Sequence, residues 1–282
     1  MRNTTLAIAV ALALFSTSIQ AQDYEPTENY DILTIGGFTV LVSGDAMYQR
    51  PEDTLKALWV LRSQIAIVND GIGEFFDYRD DLETFEQIYQ VVIWLDDSEA
   101  GLDGAGPCGI ACFYGSVNFL EREGLNPDKA FSVGFTDIEW LIGSSWCCSY
   151  VLIHELAHGW HYHVIRDGFE NDLMEDAYDR AVDSGLYDDV RSTHERTGRA
   201  YALIDAQVFF AVISAALWHH SHEYPYTLDE LRAYDEDTFR AVYFGWTLPD
   251  QSSSSRPPGR YPELDGLEVL REWNDEKSSI YP

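Results

Sequence analysis

Positive charge is what this chain has least of. Across 282 residues, 18 lysines and arginines stand against 48 aspartates and glutamates, a formal net charge of −30 at pH 7. A polyanion of that strength is repelled by nucleic acid and by anionic lipid, which argues against both as partners. Solubility is the plain use of such a surface, and selection of a basic partner is the alternative. Long apolar runs are also scarce. The run "LAIAVALALF" (Leu6–Phe15) is about half the ~20 residues that a membrane-spanning helix needs. It follows Arg2 and precedes "STSIQA", so residues 1–21 are expected to be an export signal cut after Ala21. The rest is expected to be secreted or periplasmic and not membrane-spanning. Cysteine is limited to Cys108, Cys112, Cys147 and Cys148. An even number in an oxidising compartment predicts disulfides. A bridge between the neighbours Cys147 and Cys148 would be strained, so each of the first pair is expected to join one of the second. Adjacent cysteines also seldom chelate one tetrahedral ion, which disfavours a four-thiolate zinc site.

What is present falls into strands first and helices afterwards. "YDILTIGGFTVLVS" (Tyr30–Ser43) reads as a hairpin turning at Gly36 and Gly37. Pro51 opens a helix on which Leu55, Leu58, Leu61, Ile65 and Val68 recur at helical spacing. Ile88–Leu95 and Ala130–Phe135 are candidate strands, and Ser116–Leu125 a short helix closed by Gly124. Asp96–Pro107 is glycine-rich and acidic, a loop. Further helices are expected at about 148–167, 171–186, 198–219, 227–234 and 235–245. The order predicts an α+β domain over 22–247, a small sheet packed on a mainly helical half, with 248–282 a Ser/Pro-containing tail.

The chemistry concentrates in "VLIHELAHGWHYH" (Val151–His163). Four residues advance a helix by about 400°, so His154 and His158 share one face and can reach one metal ion. Glu155, about 100° further round, can touch a metal-bound water without being a ligand. That is the donor set of zinc-assisted hydrolysis, with the carboxylate as general base. The flanks Val151, Leu152, Leu156, Ala157, Gly159 and Trp160 suit a buried helix. His161 lies near the same stripe and is expected to support the site or fill the core. Val164 stands where a metzincin would place its third histidine.

The region from about Thr39 to Trp246 resembles a family of secreted, lethal-factor-like zinc peptidases of the gluzincin group. The resemblance rests on "GLNPDKAFSV", "VLIHELAHGWH", "AYDRAVDSGLYDDV" and the block from "AYALIDAQVFFAVISAALW" to "AYDEDTF". It implies a zincin-like fold, a zinc cofactor and a peptide or protein substrate. It also implies zinc ligands at His154 and His158, a general base at Glu155, and an oxyanion-binding tyrosine at Tyr201. One departure is large. The glutamate expected as third ligand falls on Val208, and two further glutamates on Val212 and Ala215. Asp205, one turn earlier, is the carboxylate that could substitute. Glu175, Asp176 and Asp179 are a second possibility, and His219, His220, His222 and Glu223 read as an exposed polar helix end. Two expectations follow: a secreted zinc metallopeptidase, or a degenerate relative that serves as a binding protein with weak or no zinc.

Overall fold

A computed structural model describes residues 24–76, 86–97, 111–143, 150–194, 196–247 and 271–272. The expected export signal and Cys108, Cys147 and Cys148 lie outside the described residues. The chain folds as α+β around a small mixed sheet, as the order of elements predicts.

The expected hairpin is strands β1 (Asp31–Ile35) and β2 (Phe38–Val42), antiparallel, with Gly36 and Gly37 at φ of +55° and +94°. Both turn residues need the left-handed region, which only glycine enters freely. Space compounds the requirement, because a Cβ on Gly36 would sit 2.6 Å from Ile65 Cγ2. A short helix, α1 (Gly44–Gln49), capped by Ser43, was not foreseen. Helix α2 (Pro51–Phe76) begins at the expected proline and buries Leu58, Leu61, Ile65 and Val68 on the sheet.

The expected strand at 88–95 shrinks to β3 (Ile93–Leu95), because Glu86–Gln90 forms a 3-10 turn. Its length is set by its parallel partners, Val40–Val42 on one side and β5 (Val133–Phe135) on the other. Before β5 come β4 (Ala111–Phe113) and α3 (Val117–Glu123), the latter capped by Ser116 and ended by Gly124. Helix α4 (Ile138–Gly143) follows, also unforeseen. With a last strand, β8 (Arg271–Glu272), the sheet order is β4-β5-β3-β2-β1-β8, so β4 forms one edge. Strand β8 pairs parallel with β1 from within the expected tail.

The helical half is α5 (Val151–His163), α6 (Asp172–Ser184), α7 (Ala206–Trp218), α8 (Leu228–Tyr234) and α9 (Glu236–Thr247). A two-residue hairpin pair, β6 (Val190–Arg191) and β7 (Thr197–Gly198), lies between α6 and α7. Helix α7 begins eight residues later than expected, with a 3-10 turn at Tyr201–Leu203 preceding it. The cause is Asp205, whose extended backbone and capping side chain start the helix. Helices α5 and α7 pack against each other at the centre. Trp160 of α5 stacks on Trp246 of α9 and donates its Nε1–H to Gly245 O at 3.0 Å. Trp246 in turn stacks on Phe210 and donates to Ser214 Oγ at 2.8 Å, joining α9 to α7. Truncating a tryptophan so buried costs about 3–5 kcal/mol. Among the described residues, no helix is long and apolar enough to cross a membrane.

Candidate active site

Helix α5 is buried nearly all round, and its start is fixed from α2, where Gln64 Oε1 accepts from Leu152 N at 3.1 Å. That placement turns one face toward a cleft of about 450 Å³. His154, Glu155 and His158 line it from α5, Phe113 from β4, and Tyr201 and Val208 from across. A second cavity, about 40 Å³ between Val91, Trp160 and His163, is too small for a substrate.

The two imidazoles converge. His154 Nε2 and His158 Nε2 are 3.2 Å apart, with the rings at 83° to each other. Burial holds His154 well below its ordinary pKa, with His158 and His222 adding to the effect. Burial also lowers His158 to about 4, and Asp205 pulls it slightly the other way. Both rings are therefore neutral near pH 7, each with one nitrogen lone pair. Two bonds of about 2.0–2.1 Å at a tetrahedral angle span roughly 3.3–3.4 Å, so the separation suits a shared zinc ion. The same separation suits an N–H···N hydrogen bond between the two rings, with the tautomers setting the roles.

Glu155 is buried, and burial raises its pKa to about 7 despite the bond from Phe113 N to its Oε2 at 2.8 Å. Tyr201 is 45 % exposed, with its ring 6.2 Å from that of His154. Burial, then Glu155, Asp205 and Glu223, raise its pKa and keep the phenol a proton donor.

Asp205, the expected third ligand, has one oxygen engaged elsewhere. Asp205 Oδ1 accepts from Val208 N at 2.8 Å as the cap of α7. Among the described residues, no three His, Cys, Asp or Glu side chains are grouped to hold a metal. Val208 lines the cleft, while Val212 and Ala215 belong to the core. Glu175, Asp176 and Asp179 are exposed on α6, outside the cleft lining. As a zinc site the two imidazoles fit, and among the described residues no third protein ligand is grouped with them. His161 is fully buried between Phe169 and Phe210, and burial lowers its pKa to about 3, which makes it a neutral core residue.

One expectation is corrected. His222 and Glu223 are not an exposed helix end, with side chains 19 % and 15 % exposed. The chain folds back after α7, so that Glu223 Oε2 accepts from Tyr201 N at 2.6 Å and the His222 ring stacks on Tyr150 at 4.9 Å. Sequence reasoning also missed Phe113, whose contribution is a backbone N–H and leaves no side-chain signature. Comparison of the chain with family models, curated proteins and solved structures finds no match in any of the three.

Proposed function

We propose that the chain is an exported, zinc-dependent metallopeptidase of zincin type, in which His154 and His158 hold the ion. The observation that carries this reading is the pair of neutral imidazoles 3.2 Å apart, with Glu155 beside them at the floor of a cleft. Bound zinc would supply Lewis acidity to a water and to a peptide carbonyl. The chain supplies the rest. Phe113 N–H engages Oε2 of Glu155, which leaves Oε1 to take a proton from the attacking water. The same carboxyl then delivers that proton to the leaving amine. Burial raises the pKa of this carboxyl, which favours its holding the proton between the two transfers. Tyr201, kept protonated, donates to the oxygen on which negative charge develops. Phe113, Phe119 and Phe169 in the cleft lining favour an apolar side chain on the peptide. Export and disulfide pairing of the four cysteines belong to the same reading.

A second reading has two observations in its favour. Val208 stands where a ligand is expected, and Asp205 spends an oxygen on the α7 cap. On that reading the protein is a degenerate relative that binds a partner and holds zinc weakly or not at all. The purified protein is expected to carry one zinc per chain and to cleave a mixed peptide library. Glu155→Gln is expected to lose about 10²–10⁴-fold in rate while keeping the zinc. A variant that cleaves as well as the parent removes the peptidase reading, and a metal-free, inactive parent favours the second.

A further inference from the structure

Tyr201 projects from a turn that cannot cap itself. The residue before the Tyr201–Leu203 turn is Ala200, which has no side-chain acceptor for the first N–H groups. The acceptor comes from 22 residues downstream, where Glu223 Oε2 lies 2.6 Å from Tyr201 N and the carboxylate also accepts from Ala202 N. Among the described residues, no lysine or arginine pairs with Glu223. Its near neighbour is His222, with Nε2 at 3.9 Å. A part-buried carboxylate without a Lys or Arg partner is stabilised by other donors, and its amide bonds to the Tyr201 turn are the ones present.

The loop that carries Glu223 is itself pinned. Thr193 N donates to His222 O at 2.8 Å, Tyr224 N to Arg191 O at 2.9 Å, and Ser221 N to Tyr226 O at 2.8 Å. The His222 ring lies between Tyr150, stacked at 4.9 Å, and Tyr201, edge-on at 6.0 Å. Tyr150 immediately precedes α5, so the loop ties the tyrosine turn to the helix of the two imidazoles. Among the described residues nothing hydrogen-bonds the Tyr201 hydroxyl, so the phenol is oriented by its backbone and by ring contacts with His154 and His222.

We propose that Glu223 is a positioning residue for Tyr201, holding the phenol over the cleft through the backbone of its turn. This rests on the peptidase reading and deepens it. Glu223→Ala is expected to speed hydrogen exchange at the Tyr201 and Ala202 amides about tenfold or more. It should lower kcat about tenfold while KM and zinc content stay within twofold of the parent. Glu223→Gln, whose amide oxygen still accepts, should restore most of the rate. In a Tyr201→Phe background, Glu223→Ala should add less than about twofold, because the two residues act as one unit. Should Glu223→Ala fold poorly, Glu223→Asp, one methylene shorter, is expected to show the same pattern at smaller size.

Unchanged amide exchange, or an equal loss in both backgrounds, overturns the positioning role. If the parent shows no Glu155-dependent cleavage, the peptidase reading has failed and the positioning role falls with it. If cleavage is present and the losses multiply, only the positioning role has failed.

Discussion

Helices α5 and α7 share an extensive seam and are both buried almost throughout, but they spend that burial differently. On α5 the cleft face carries two imidazoles and a carboxylate. On α7 the residues across are Val208 at the cleft and Val212 and Ala215 in the core. The polar atoms that α7 does bury or cap with hold structure rather than face the cleft: Asp205 Oδ1 accepts from Val208 N, and Ser214 Oγ donates to Phe210 O and accepts from Trp246 Nε1. Desolvating imidazoles and a carboxylate is costly even where each keeps a hydrogen-bond partner, so buried His154 and Glu155 and part-buried His158 weigh on stability. An apolar face like that of α7 would be the cheaper core. The difference teaches that α5 holds polar side chains at a cost that packing alone does not explain, while α7 faces them with Val208.

The comparison can be broken from the α7 side. Val208→Glu places a carboxylate across from the imidazoles and is expected to raise zinc affinity about tenfold or more, read by competition with a chelator, because it completes three protein ligands. An unchanged affinity would show that position 208 does not face the ion. Asp205→Ala separates capping from ligation. Loss of the cap is expected to lower stability by about 1 kcal/mol, with zinc affinity within twofold of the parent. A tenfold loss of zinc affinity would instead make Asp205 the third ligand.

A smaller effect concerns the buried histidine behind the site. His161 has its pKa lowered to about 3 by burial, so between pH 6.5 and 3 the unfolded chain binds the proton that the folded chain refuses. Its contribution is therefore complete above about pH 6.5 and is lost as the pH falls. His161→Phe, which keeps a ring between Phe169 and Phe210, is expected to reduce the fall in Tm between pH 7 and pH 5 by a few degrees. The same slope in parent and variant would contradict this account of His161.

Local signals made much of the fold legible. Two glycines with positive φ fixed the hairpin, Pro51 and its apolar stripe fixed α2, and the spacing of His154 and His158 fixed the imidazole pair. What was hidden depends on partners distant in sequence. Strand β4 is three residues long and exists through β5, yet it supplies the N–H that engages Glu155. His222 and Glu223 look like a solvated end because their composition is polar. They are part-buried because the chain returns to pair with Ser192 and Thr193, a contact that no local pattern encodes. Asp205 was placed inside a helix that it in fact begins, since a capping aspartate and a helical one look alike in an apolar context.

The central claim is that α5 presents a working pair of zinc ligands. A calorimetric titration of metal-free protein with zinc, run beside His158→Ala, tests it most directly. The account predicts one equivalent bound by the parent and binding at least about a hundredfold weaker in the variant. No binding by the parent, or equal binding by both, would contradict it.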